Sequence, residues 1–230
     1  MNQTWHELLF MHWRIPISVL RPLIPSSLEI DEFDGSAWIG VVPFRMSGVR
    51  PHGLPGMPWL SAFPELNVRT YVTSHDRPGV WFFSLDAGNS LAVQIARSWF
   101  SLPYFHSHMA LTHQPGDSPD RTKIRYSATR THVGASSAQF TATYFPTGVV
   151  SAATHASLEW FLTARYCLYT VRGAKLVRGE IDHAPWPLQP ASCTVDVNTM
   201  CDGLDLPLNG DPHLLYSHRL DVTVWPLTNV

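Results

Sequence analysis

The sequence predicts a β-rich α+β fold, with a mostly antiparallel sheet that is curled or closed and two or three peripheral helices. Short apolar and alternating runs, separated by turn residues, fill most of the 230 residues. Strands and helices do not alternate regularly, so a parallel sheet of βαβ units is not expected. The nineteen prolines and nine tryptophans favour a loop-rich β protein with aromatic packing. Since no break in composition divides the chain, we expect one domain over residues 1–230.

The first half of the chain is predicted to hold a short helix and several strands. The strands are expected at residues 8–15, 37–46 and 64–72, the helix at 17–24, and a hairpin turn at Asp34-Gly35. Pro43 marks a bulge or an edge position in the second strand. Residues 48–63 read as an irregular loop, which is either a functional lid or an ordered surface loop.

A central unit follows, and the second half is again rich in strands. The unit consists of a strand at residues 80–85, an amphipathic helix from Ser90 that ends before Pro103, and an alternating strand from Tyr104. The later predicted elements are a helix at 155–162 and strands at 123–131, 139–145, 165–172, 192–197 and 217–225.

Composition excludes several classes of function. A net charge of −2 leaves no basic surface for nucleic acid. No apolar run approaches 18 residues and no basic segment opens the chain, so neither a membrane span nor a signal peptide is expected. Three cysteines without a CxxC pair fit a reducing compartment, and we expect a cytoplasmic protein. The common nucleotide-binding, hydrolase and zinc-protease motifs are missing from the sequence.

Two histidines, His106 and His108, share one face of a predicted strand and could bind a metal, with His113 and His132 as further candidates. No third ligand stands at a recognisable spacing, so polar residues on a half-exposed strand are the favoured interpretation. We predict neither a metal nor another cofactor.

The strand at residues 64–72 places Glu65, Asn67 and Arg69 on one face together with Tyr71. Composition alone favours a solvent-facing surface. The alternative is a polar lining inside a barrel, where Glu65 would be an acid or base while Arg69 and Asn67 bind a carboxylate substrate. Arg45 is a second candidate anion-binding residue, or an arginine just past the rim of the sheet.

Several segments resemble the acetoacetate decarboxylase-like superfamily. They are VLRPLIPSSLEIDEF, FPELNVRTYV and the helix that carries Arg97 ahead of Pro103. VVPFRM, LPYFHSHM and FLTARYCLYT are most similar to its YqjF-like branch of uncharacterised bacterial proteins. The resemblance implies a closed, cone-like β-barrel with a central cavity, peripheral helices and a homo-oligomeric assembly.

The resemblance also identifies a missing group. In the decarboxylase two lysines follow the proline, and one of them forms a Schiff base with the substrate. Here Tyr104 and Phe105 follow Pro103, and the only lysines are Lys123 and Lys175. Neither Tyr104 nor Phe105 can form an imine, which excludes Schiff-base decarboxylation at this position.

Glu65 matches the active-site glutamate of the superfamily. If Tyr104 points inward, it can donate a hydrogen bond to a substrate, and His106 on the same face can act as a base. If Phe105 points inward instead, the pocket there is apolar and His106 points away. These two outcomes exclude each other, because Tyr104 and Phe105 lie on opposite faces of a strand.

Two functions remain open at this point. In the first, the protein binds a small carbonyl or carboxylate compound and transforms it by non-imine acid/base chemistry, as a lyase or an isomerase. In the second, a binding or structural module has lost the ancestral chemistry, and Glu65 merely pairs with Arg69. Whether the protein is an enzyme depends on which of the two holds.

Overall fold

The computed structural model describes residues 1–50, 62–89, 93, 97, 100–116 and 122–230, and its elements are mostly strands. Twelve strands lie within these residues: β1 (Asn2–Ile15), β2 (Glu29–Ile30), β3 (Ala37–Arg50), β4 (Phe63–Ser74), β5 (Arg77–Ala87), β6 (Tyr104–Pro115), β7 (Thr122–Arg130), β8 (Gln139–Pro146), β9 (Cys167–Arg172), β10 (Lys175–His183), β11 (Leu188–Asn198) and β12 (His213–Asn229). The predicted β-rich fold with few helices is therefore confirmed.

The helices of the described residues are short. Helix α1 (Ile17–Leu20) continues into a 3₁₀ turn over Arg21–Leu23, and a second 3₁₀ turn covers Asp202–Leu204. Helix α2 (Leu158–Thr163) begins after Ser157, whose hydroxyl accepts a hydrogen bond from the Trp160 amide at 3.2 Å. Of the helix predicted from Ser90, only Val93, Arg97 and Phe100 are described in full, and all three are helical. None of the helices described is both long and apolar enough to cross a membrane.

Hydrogen-bonded pairings link seven strands in a ring. In the sheet order β10-β9-β5-β6-β7-β8-β11-β12-β1-β3-β4-β2, strand β5 also pairs with β4, and β10 also pairs with β12. The pairings therefore run β12-β1-β3-β4-β5-β9-β10 and return to β12. Most of them are antiparallel, as predicted, while β5 is parallel to both β6 and β9.

Two hydrophobic cores cover the two faces of this sheet. The first core receives side chains from all seven strands of the ring, among them Phe10 and Phe44. The second core lies on the opposite face, where Met11 and Val41 pack with Tyr126 of β7 and its neighbours on β8. Successive side chains of β1 and β3 therefore alternate between two buried faces, and not between a buried face and solvent.

A β-bulge interrupts the pairing of β1 with β3 opposite Pro43. The register runs from His6↔Arg45 directly to Met11↔Val41, so β1 has one extra residue here. Within the bulge Glu7 adopts φ 56°, and its carbonyl accepts a hydrogen bond from the Tyr144 hydroxyl at 2.8 Å. Because Pro43 has no N–H to donate, the bulge falls where the ladder would be incomplete. Of the two predicted alternatives for Pro43, the bulge is the one observed.

Some predicted boundaries were wrong. Strand β10 was not predicted, and β12 extends well beyond residues 217–225 at both ends. Strand β3 continues through Arg50, so the predicted loop at 48–63 begins as a strand. Residues 51–61 of that loop, to which the lid interpretation applies, lie outside the described residues.

Candidate functional site

Glu65 is the centre of the candidate site. It lies on β4 with 2% of its surface exposed, and its Oε2 accepts a hydrogen bond from the Tyr104 hydroxyl at 3.0 Å. Burial raises the pKa of Glu65 from its ordinary value of 4.5 to about 8. The hydrogen bond from Tyr104 opposes this rise, and the negative charge of Asp86 adds to it. At neutral pH the Glu65 carboxyl group is therefore mostly protonated.

Tyr104 reaches Glu65 because β6 begins directly after Pro103. The parallel pairing places Tyr104 beside Leu85 of β5, and the Arg97 guanidinium donates to the Tyr104 carbonyl at 2.6 Å. Burial raises the pKa of Tyr104 well above its usual range, and the nearby Glu65 carboxylate raises it further. The tyrosine therefore stays protonated and acts as a hydrogen-bond donor.

Phe105 lies on the opposite face of β6, where the Arg130 guanidinium stacks 4.2 Å from its ring centroid. Arg130 in turn forms a two-point ion pair with buried Asp86, at 2.8 Å from Nε to Oδ1 and 2.6 Å from Nη2 to Oδ2. Ser107 donates to the same carboxylate at 2.6 Å. Of the two alternatives left open by the sequence, the structure has Tyr104 facing Glu65. This ion pair holds β5, β6 and β7 together behind the two residues.

Asn67 and Arg69 share the face of Glu65 and are also buried, with 5% and 8% of their surfaces exposed. The sequence-based preference for a solvent-facing surface is therefore wrong. Among the described residues, no carboxylate lies within 4 Å of the Arg69 guanidinium, and Arg69 is not paired with Glu65. Within the described part of the chain, its Nη2 makes only long contacts, at 3.5 Å to the Tyr71 hydroxyl and 3.4 Å to the Leu162 carbonyl.

His12 is a site residue that the sequence analysis did not identify. It is fully buried on β1, and its Nε2 lies 2.6 Å from the Tyr71 hydroxyl, which donates to the Leu162 carbonyl at 2.9 Å. On β3, Gly40 pairs with both His12 and Arg69, and a Cβ atom there would lie 2.7 Å from His12 Nε2. The missing side chain of Gly40 therefore makes room for the imidazole.

Buried polar atoms without a hydrogen-bond partner concentrate on this face. Within the described part of the chain, they include His12 Nδ1, Asn67 Oδ1, Arg69 Nε and the indole nitrogens of Trp5 and Trp186. The two indole rings stack at 5.7 Å, and both pack against the first core. Ser217 Oγ, on a residue that pairs directly with Leu8, is a further such atom. Because buried polar groups are normally satisfied, water or a ligand is expected on this face.

Two predicted site residues do not join the group. Arg45 follows Phe44 on β3 and so points to the other face, where its Nε lies 3.7 Å from the Glu7 carboxylate. His106 lies on the same face of β6 as Tyr104. Its imidazole, however, contacts the Thr131 hydroxyl at 2.9 Å, and its backbone amide donates to Nδ1 of His132. Within the described residues, no three His, Cys, Asp or Glu side chains are close enough together to hold a metal ion.

Only a weak signal in the sequence points to His12. His12 stands inside an apolar run, LLFMHWRI, whose two faces are both buried, so alternation alone does not distinguish it. The signal that could have identified His12 is the pairing of a buried histidine with a glycine on the next strand. That pairing depends on the register, and the bulge in β1 shifts the register by one residue.

The fold defines the class of protein. The structure is similar to that of an acetoacetate decarboxylase, with a TM-score of 0.64 and 16% identity over 100% of this chain and 89% of that one. It is equally similar to the enduracididine biosynthesis enzyme MppR complexed with pyruvate, with a TM-score of 0.64 and 11% identity over 99% and 89% of the two chains. At these identities the likeness shows an acetoacetate decarboxylase-like fold.

The family follows from the sequence comparison. Residues 2–221 match the model of the DUF2071 family, described as an uncharacterized conserved protein. The chain is 44% identical over 229 residues to the uncharacterized protein YqjF of Bacillus subtilis (strain 168), covering 99% of this chain and 91% of that one. The protein therefore belongs to the DUF2071 family, and the resemblance to the YqjF-like branch is confirmed.

Proposed function

We propose that the protein binds a small carbonyl or carboxylate compound beside Glu65 and transforms it by acid/base chemistry without an imine. The observation that carries this proposal is the buried, protonated Glu65, hydrogen-bonded to Tyr104 on a face where other buried polar groups lack partners. Perturbed carboxyl groups of this kind are typical of active sites.

Arg69 supports an anionic ligand. A buried guanidinium is normally neutralised by a carboxylate, because an isolated charge is costly to remove from water. In the described residues Arg69 lacks such a partner, and Glu65 is mostly neutral at pH 7. A carboxylate of the ligand would supply the missing charge, and the unpartnered Oδ1 of Asn67 could accept a hydrogen bond from a hydroxyl group of the same ligand.

Glu65 supports the chemical step. With a pKa of about 8, it holds a proton at neutral pH that it can give to a substrate oxygen or carbon, and then take back. Tyr104 would orient the carboxyl group through the hydrogen bond that it donates to Oε2. Glu65 and Arg69 are four positions apart on the same face of β4, a Cα distance of about 13 Å.

The second candidate function is a binding or structural module without chemistry. The stacked indoles of Trp5 and Trp186, with Phe10 and Phe44 beside them, support it, because they fill part of the same face with aromatic groups. This candidate required Glu65 to pair with Arg69, a contact that is not present. We therefore favour the first candidate, with lyase or isomerase chemistry.

The experiment is a thermal-shift titration of the purified protein with short oxo acids, hydroxy acids and their uncharged esters. A ligand that binds only the folded state raises Tm in proportion to RT ln(1 + [L]/Kd). We expect acids but not esters to stabilise the protein, and Arg69→Met to abolish the shift. In a turnover assay, Glu65→Gln should retain binding and lose activity. The exposed Arg14 provides a matched control as Arg14→Met.

Two results would oppose the proposal. If no acid stabilises the wild type, the face beside Glu65 is a filled interior, and the module without chemistry is preferred. If acids stabilise the wild type and Arg69→Met equally, the carboxylate binds elsewhere.

We also propose that residues 1–230 form one domain, in which the ring of seven strands closes into a cone-like barrel around a central cavity. The resemblance to the superfamily supports a homo-oligomer, and the three free cysteines fit the bacterial cytoplasm. Nucleic acid and membranes are not among the proposed partners, and neither is a metal or another cofactor. Light scattering coupled to gel filtration tests the assembly, and a monomer would contradict it.

A further inference from the structure

We propose that the neutral imidazole of His12 presents Nδ1 as a hydrogen-bond acceptor on the face of the sheet that Arg69 shares, and that the site therefore selects a hydroxy acid over the matching oxo acid. This inference rests on the proposed function, because it assumes that Arg69 binds a carboxylate of the ligand. It assigns a second functional group to the ligand, a hydroxyl group in addition to the carboxylate.

The hydrogen-bond network determines which nitrogen of His12 carries the proton. The Tyr71 hydroxyl lies 2.9 Å from the Leu162 carbonyl, and two oxygens at that distance need a hydrogen between them. Tyr71 must supply this hydrogen, since a carbonyl has none. Its single proton is then not available for His12 Nε2, at 2.6 Å. Nε2 must therefore donate to the Tyr71 oxygen, which leaves Nδ1 with a lone pair.

The packing of the ring determines the direction in which Nδ1 points. The edge formed by Nε2 and Cδ2 rests over Gly40, where a Cβ atom would lie 2.7 Å and 2.9 Å from these two atoms. Nδ1 is on the opposite side of the imidazole and is directed away from the Gly40 backbone. It is completely buried, and among the described residues nothing donates a hydrogen bond to it.

The charges near His12 indicate which donor the ligand carries. Burial and the positive charge of Arg69 lower the pKa of His12 well below its usual range, so the imidazole is neutral. Arg69 lies across Gly40 from His12, and the same Cβ position is 3.6 Å from its Cγ. An ammonium group would place a second positive charge beside this guanidinium, whereas a hydroxyl group donates a hydrogen bond without adding charge. A ketone oxygen would instead face the lone pair of Nδ1 with no proton between them.

The test compares matched ligands by isothermal titration calorimetry. The pairs are lactate with pyruvate and 2-hydroxybutyrate with 2-oxobutyrate, and alanine probes the ammonium alternative. We expect the hydroxy acid of each pair to bind about tenfold more tightly, since a buried acceptor left without a donor is costly. His12→Gln retains a donor for Tyr71 and removes Nδ1, so the Kd ratio should fall to about one. His108→Gln, at an exposed position of β6, should leave the ratio unchanged.

The outcomes separate this inference from the function on which it rests. If the two members of each pair bind equally, or the oxo acid binds more tightly, a water molecule satisfies Nδ1. The His12 assignment is then wrong, while the carboxylate site stands. Tightest binding of alanine overturns the hydroxyl assignment in the same way. If none of these acids binds, both proposals fail. Should His12→Gln not fold, Tyr71→Phe releases the constraint on the tautomer, and the ratio should again decrease.

Discussion

The pH dependence of stability provides a direct test of Glu65. Its pKa of about 8 in the folded protein, against 4.5 ordinarily, means that the folded state holds this proton more tightly than the unfolded state. The stability due to the proton is fully present below about pH 4.5 and is lost as the pH rises towards 8. At about 1.4 kcal/mol per pH unit, the total loss is about 5 kcal/mol.

Glu65→Gln removes this dependence, because the amide is neutral at every pH and can still accept the hydrogen bond from Tyr104. Relative to the wild type, the variant should gain about 4 kcal/mol in its free energy of unfolding between pH 5 and pH 8. Urea unfolding followed by tryptophan fluorescence measures both proteins at each pH. Glu32→Gln, on an exposed carboxylate, controls for the change in net charge.

If the two unfolding free energies differ by a constant amount from pH 5 to pH 8, the pKa of Glu65 is not raised in the folded protein. A relative gain by the wild type as the pH rises would be a stronger contradiction. It would mean that Glu65 is ionised and paired with a cation in the folded protein.

Three further substitutions test neighbouring features. Tyr104→Phe removes the hydrogen bond that lowers the pKa of Glu65, so the loss of stability should extend to a higher pH than in the wild type. Gly40→Ala brings a methyl group within 2.7 Å of His12 and should lower the free energy of unfolding by about 1–3 kcal/mol in urea denaturation. Arg130→Met leaves the buried Asp86 carboxylate without a compensating positive charge and should lower the free energy of unfolding by about 3–5 kcal/mol in the same measurement.

Each of these substitutions has a control elsewhere in the chain. Gly88→Ala places its methyl group 3.5 Å from Pro64, an ordinary contact, and should change stability by less than Gly40→Ala. Arg14→Met breaks an exposed ion pair, which typically contributes at most about 1 kcal/mol. Tyr166→Phe removes a hydroxyl from a tyrosine that is 43% exposed. If a buried variant and its control change stability equally, the contact described for the buried residue does not stabilise the fold.

Most of the strands, though not β10, could be predicted from the sequence, but the side of the sheet that faces water could not. The alternation at residues 64–72 correctly placed Glu65, Asn67 and Arg69 on one face. It could not show that this face is buried, because a polar face is usually a solvent-exposed face. Their burial depends on pairings between distant strands, such as that of β10 with β12 about forty residues apart, and the first core covers this face. No local pattern encodes that contact.

The parts of the candidate site that depend on the alternation of side chains along one strand were predicted. The part that depends on how two strands are paired was missed. Parity established that Tyr104 and Phe105 exclude each other, and the structure has Tyr104 beside Glu65. Arg45 seemed a plausible anion-binding residue from its charge, yet parity with Phe44 already places it on the other face. His12 required the register of β1 against β3, which the sequence does not provide.

The bulge at Glu7 makes the length of β1 a structural requirement. Before the bulge Trp5, an odd-numbered residue, faces the first core, whereas after it Leu8 and Phe10 do. Strand β12 makes the same change, since Leu215 pairs with Phe10 and Leu220 pairs with Trp5. A deletion of Glu7 alone would remove no apolar residue, but it would turn Trp5 to the opposite side of the sheet from its partner Leu220. In evolution this strand should therefore tolerate exchanges of residue type far better than insertions or deletions.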